Sequence, residues 1–155
     1  MASEKATEVP QGDIKTLLQE DQALTPEFEK VLETMFRKYA SRTDKFDHGF
    51  PPKEADKPTR QRLTQEKYAE FPLDKLCLKT EDLRRFAVET NGSPLSEQAE
   101  YEIQTYLKCT PEGWLQFDGF CQLYQLQSTS EPEETWRDLA VHGIDVNLKP
   151  VAAAS

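Results

Sequence analysis

The 155-residue sequence predicts an all-α domain, and three observations lead there. Residues 25–40 place Phe28, Val31, Leu32, Met35, Phe36 and Tyr39 at i, i+3, i+4, i+7, i+8 and i+11, one continuous apolar helical stripe. Later segments repeat such stripes behind recognisable helix starts. The extended apolar runs, Leu76-Cys77-Leu78 and Trp114-Leu115-Gln116-Phe117, are short enough for a two-stranded ribbon and no more.

Composition bounds the rest. Hydrophobic residues are 37% of the chain, below the roughly 45–50% of an average globular chain counted with glycine. The deficit lies in polar or Pro-rich stretches at 1–22, 41–72 and 127–135. The expected layout is a disordered tail at 1–22, one domain at 23–145 and a second disordered tail at 146–155. Within that domain lie an inserted loop at 41–75 and a capping helix at 131–143. The chain carries 28 acids against 19 bases, a net charge of −9. That balance disfavours nucleic acid, whose phosphates need a basic footprint. The opening MASEKATEVPQGD lacks the apolar segment of a secretory signal, and no apolar run is long enough to span a bilayer. Cys77, Cys109 and Cys121 form an odd set without CxxC spacing, and each has an apolar neighbour. They read as small buried hydrophobes in a cytoplasmic or nuclear protein with no membrane partner.

The elements follow in order. Thr25 caps the first long helix, Pro26 takes its first position and Glu27 suits the positive end of the dipole. Region 41–75 breaks the periodicity with prolines and balances 8 bases against 7 acids; a short helix over 59–70 is compatible with Leu63 and Tyr68. Thr80 reads as the cap of a helix through Glu89, with Leu83, Phe86 and Ala87 inward and Gly92 as its left-handed stop. Ser96 caps the next, whose buried side is Ala99, Ile103, Tyr106 and Leu107. After a turn at Thr110–Gly113, Phe120, Leu123 and Tyr124 face inward from a further helix. A polar linker, QSTSEPEE, then leads to a helix over 131–142 that ends at Gly143, with Ile144 folding back on Leu139.

The chain also repeats itself. LCLKTEDLRRFA (76–87) and GWLQFDGFCQLY (113–124) match Leu78 with Leu115, Leu83 with Phe120 and Phe86 with Leu123, each 37 residues apart. The helices in front match at a spacing of 71, so the first copy holds 34 extra residues. These residues resemble the EF-hand family over about 24–126. PEGWLQFDGF is similar to the back half of an EF loop, with Gly113 at the sixth position, Leu115 at the eighth and Phe117 at the tenth. LKTEDL is similar to the same ending, with Leu78 at the eighth position and Asp82 at the twelfth. The resemblance implies an EF-hand-like pair of helix–loop–helix units, a tiny two-stranded ribbon between the loops, and an extra C-terminal helix.

The ligand positions depart from that pattern. A calcium loop sets oxygen ligands at positions one, three and five and a bidentate Glu at twelve. Counted back from Gly113, these positions hold Lys108, Thr110, Glu112 and Gly119. A cation stands at the first and nothing coordinates at the last. The first loop offers Asp44, Asp47, Asp74 and Asp82 across some forty residues, a span poorly organised for an ion. No cofactor is expected, calcium included; if a metal bound, Asp44, Asp47, Asp82 and Glu112 are the candidates.

No other chemistry stands out. His48 and His142 have no partners at metal or triad spacing, and no phosphate-cradling glycine loop occurs. The expected function is therefore non-enzymatic: a calcium-independent protein–protein interaction module or adaptor, with a divalent-cation sensor as the alternative. Another protein or a peptide is the expected partner. Candidate contacts are Arg60, Arg62, Lys67 and Tyr68 in the base-rich insertion, which otherwise reads as a solvated loop. Trp136 is a fifth candidate unless its helix folds back and buries it.

Overall fold

The computed structural model describes residues 10–43 and 71–151. Helices dominate it: α1 (Ile14–Leu17), α2 (Pro26–Tyr39), α3 (Thr80–Asn91), α4 (Glu97–Tyr106), α5 (Phe117–Ser130) and α6 (Pro132–Val141). A small antiparallel sheet joins β1 (Ser41–Arg42), β2 (Leu76–Leu78) and β3 (Leu115–Gln116) in that order. The expected two-stranded ribbon is β2–β3, and β1 adds a third strand. Leu78 stands opposite Leu115 and Cys77 opposite Gln116. The two leucines matched by the 37-residue repeat are thus partners across the ladder. The chain divides into two compact units, Met1–Leu32 with Cys121–Ser155, and Glu33–Phe120.

The unit Glu33–Phe120 holds the sheet. Its core is a run of rings: Phe36 meets Phe117 edge-on at 5.4 Å and Phe120 at 5.6 Å, and Phe86 meets Phe120 at 5.3 Å and Tyr39 at 5.4 Å. Such tilted and edge-to-face pairs each add about 0.5–1.5 kcal/mol beyond the area they bury. All three β2 side chains are buried. Tyr39 donates its hydroxyl to Glu89 at 2.7 Å beneath the Arg85 guanidinium, and burial pushes its ionisation upward. The helix signals hold closely. Ser96 Oγ accepts from the Ala99 amide at 3.0 Å, and Gly92 ends α3 at φ +83°. The start of α3 differs: Lys79 is its N-cap, not Thr80, and Asp82 accepts the Lys79 N–H at 2.9 Å. Tyr106, expected inward, is 75% exposed. The buried side of α4 narrows to Ile103, and Tyr106 ends the helix on its flank.

The other unit packs α1, the start of α2, most of α5 and α6. Phe28 and Tyr124 meet edge-on at 6.4 Å beside the buried Leu17, Leu32 and Leu139. Thr25 caps α2, accepting the Phe28 amide at 3.2 Å. Gly143 closes α6 at φ +78°, donating to Ala140 O at 3.0 Å while the Ile144 amide reaches Leu139 O at 2.9 Å. That is the Schellman pairing predicted at Gly143 and Ile144.

Three boundaries differ from the sequence expectation. The tail at 1–22 is not structureless throughout: Asp13 caps α1, and Leu17 and Leu18 are buried. The polar stretch after Leu126 is not a linker, because α5 runs to Ser130 and Glu131 alone separates it from α6. Ser128 and Thr135 tolerate burial there by pairing hydroxyls at 2.9 Å. The tail beyond Asn147 also buries a side chain. Leu148 is buried in a hairpin where the Val151 amide reaches Gly143 O at 2.7 Å. The possible helix at 59–70 lies outside the described residues.

Candidate functional site

The loop between α4 and β3 holds Lys108, Thr110, Glu112 and Gly113. Leu107 ends α4, and the chain then turns back on itself. The Thr110 amide donates to Trp114 O at 2.8 Å, and the Gly113 amide donates to Thr110 O at 2.8 Å. The Trp114 amide reaches Thr110 Oγ1 at 3.2 Å, and the Gln116 amide reaches Lys108 O at 3.0 Å. Gly113 makes the turn at φ +90°, where other residues are strained. The side chain of Thr110, at the third loop position, is therefore a turn former. Gly119 closes the arrangement. A Cβ there would collide with the Lys108 carbonyl oxygen and lie 2.6 Å from Leu115 Cδ1. The twelfth position thus has no room for a side chain of any kind. Lys79 lies 4.8 Å above the Trp114 ring, a cation against an aromatic face at the rim of the same loop.

Of the four candidate metal ligands the structure describes two, Asp82 and Glu112. Asp82 is half-buried, and its Oδ2 already accepts from Ser41 Oγ at 2.7 Å and from the Lys79 amide. Burial pushes its carboxyl upward in pKa, against those two hydrogen bonds. Its place is structural, tying β1 to the start of α3. Glu112 is exposed on the turn. Asp44 and Asp47 lie outside the described residues. Among the described residues no three His, Cys, Asp or Glu side chains gather as a metal group. Of the partner candidates, Arg60, Arg62, Lys67 and Tyr68 also lie outside the described residues. Trp136 is 3% exposed, so it is not a surface contact; its indole is a packing surface for Gly12. Cys77 is buried, and desolvation pushes its thiol up to about 12, which leaves it unreactive. Cys109 and Cys121 are half-buried, less enclosed than expected.

Sequence reasoning missed a polar cluster between α5 and α6. Asp138 Oδ2 accepts from Tyr124 Oη at 2.9 Å and Gln127 Nε2 at 3.1 Å, and Gln127 also reaches Thr135 Oγ1 at 3.2 Å. Asp138 Oδ1 is buried without a hydrogen-bond partner. Desolvation therefore raises the Asp138 pKa, with the Gln127 and Tyr124 hydrogen bonds and the Arg137 charge opposing. The sign follows. The folded state holds this proton more tightly than the unfolded chain, so its contribution is full at acid pH and lost as pH rises through the folded pKa. Asp138→Asn keeps an acceptor for Tyr124 and Gln127 and removes the charge. The variant should gain stability relative to wild type as pH rises from about 3, below the unfolded aspartate pKa of about 3.9, to about 8, read as urea midpoints; a difference constant across that whole span contradicts a charged, desolvated Asp138.

A cleft of about 300 Å³ opens beside α1, lined by Ile14, Leu18, Gln22, Ser128, Thr129 and Pro132 among others. Gln22 stands there at φ +73°, held by Gln125 Nε2 on its carbonyl at 2.6 Å. Among the described residues no helix is long and apolar enough to cross a membrane. No protein-family model, no curated protein and no solved structure matches this chain.

Proposed function

We propose that this chain is a calcium-independent protein–protein interaction module built on a degenerate EF-hand-like pair. The observation that carries the proposal is the closure of the 108–119 loop. Its backbone groups bond to one another, and Gly119 sits against the Lys108 carbonyl where the bidentate carboxylate of a calcium loop would stand. The Leu78–Leu115 pairing supports the paired-loop ancestry, since both leucines take the eighth position in the register that the repeat defines. Large apolar side chains left on the surface, Tyr101, Tyr106 and Leu126 among them, support a role in contacts with other proteins. The base-rich 41–75 segment would add charge-guided docking to an acidic partner.

Affinity capture from a cell extract tests the function. It compares the full chain, in excess calcium and in chelator, with a variant lacking 44–70. The same partner is expected in both ionic conditions, and its loss is expected from the variant. Retention only in calcium favours the cation-sensor alternative. Equal retention by the variant removes the docking role of the segment.

A further inference from the structure

Helix α4 turns an unusual face to solvent. Gln98, Tyr101, Glu102, Thr105 and Tyr106 are all exposed, at i, i+3, i+4, i+7 and i+8. Tyr101 is 61% exposed and Tyr106 75%, with neither ring stacked on another among the described residues. At 100° and 1.5 Å per residue, the two rings stand about 140° apart around the axis and about 7.5 Å apart along it, bracketing Glu102. The helix carries Glu97, Glu100 and Glu102 and no lysine or arginine. Arg84 engages Glu100 through two bonds of 2.8 and 3.1 Å, whereas Glu102 accepts from the neutral amide of Gln98 at 2.9 Å.

We infer that the Tyr101–Glu102–Tyr106 face of α4 docks an arginine-rich peptide segment of a partner protein. The charge of the face selects the occupant. A guanidinium pairs with the Glu102 carboxylate while its neighbours stack on the tyrosine faces, which hold cations through their ring quadrupoles. An acidic segment would meet the Glu102 carboxylate on a helix that carries no lysine or arginine, and a purely apolar one would strand Glu102. The inference rests on the chain being an interaction module and names one chemical class of partner for it.

Titration of the full-length chain with a dye-labelled octa-arginine peptide tests it directly. Tyr101→Ala/Tyr106→Ala leaves the net charge unchanged and is expected to weaken binding about 5- to 30-fold, as loss of two exposed cation–π contacts implies. Its unfolding midpoint should match that of wild type. Glu102→Gln is expected to weaken binding, whereas Glu133→Gln, an equal charge change on α6, should leave affinity within about twofold. Amide shifts on titration are expected in 97–107. Wild-type affinity in the tyrosine double variant, shifts centred elsewhere, or no binding of the peptide would each overturn the assignment. So would a dimer seen by sedimentation that the double variant abolishes, since the occupant is then a second copy. The titration uses no cellular partner, so its failure is distinct from failure of the capture experiment.

Discussion

Gly119→Ala is expected to destabilise the protein by about 1–2 kcal/mol net, although propensity alone predicts the opposite sign. Gly119 is the third residue of α5, where alanine is normally favoured over glycine by about 1 kcal/mol. Here the new methyl would run into the Lys108 carbonyl oxygen and approach Leu115 Cδ1 to 2.6 Å. The carbonyl is not free to retreat, because it accepts the Gln116 amide at 3.0 Å, and Gln116 is paired to Cys77 in the sheet. Relief therefore breaks the loop or displaces β3, and overpacking of this kind costs about 1–3 kcal/mol or more. Gly119→Glu should be worse, since it adds a longer side chain and a buried charge at the same place. Chemical denaturation of both variants checks this. A stabilised Gly119→Ala would mean that the loop is looser than its hydrogen bonds indicate.

Trp136→Ala should cost about 3–5 kcal/mol, the range for emptying a buried aromatic site. The indole is 3% exposed on the same helix as the fully buried Thr135 and Leu139. Gly12 lies against it so closely that a Cβ there would stand 2.6 Å from Cη2. Removing the ring leaves a cavity on α6 and takes away the surface against which Gly12 packs. Marginal stabilities of about 5–15 kcal/mol make such a loss a large fraction of the total. Fluorescence gives a second readout, because the remaining Trp114 is half-buried beneath Lys79 and Trp136 is enclosed. The variant should lose the shielded emission and unfold at markedly lower denaturant. Near-neutral stability would contradict the packing role of this side chain.

The long helices were legible because periodicity and capping agree on them. In α2 the stripe runs from Phe28 to Tyr39 behind a Thr25 cap, and the Schellman residues Gly143 and Ile144 end α6 as predicted. The strand register was legible for a different reason: the repeat aligned Leu78 with Leu115, and sequence equivalence became spatial pairing. What escaped was burial without periodicity. Leu17 and Leu18 follow Ile14 at i+3 and i+4, a single turn in an acidic stretch and too short for a continuous stripe, and their burial is settled by tertiary contacts. Ser128 reads as a linker residue and Thr135 as a polar position of the following helix because each is polar alone; each satisfies the other when buried. Likewise Asp138 could not be separated from 27 other acids until Tyr124 and Gln127 were seen to point at it. In the candidate site, position counting located Gly119, but the reason it must be glycine lies in the Lys108 backbone.

Calorimetric titration of the full-length chain with calcium, followed by magnesium, bears most directly on the closed loop. No saturable heat tighter than about 10 µM and no change in helicity are expected, because position twelve holds Gly119 and Asp82 is already engaged by Ser41 and Lys79. Saturable binding below that concentration with a helical rearrangement would contradict a calcium-independent module and assign the protein to cation sensing.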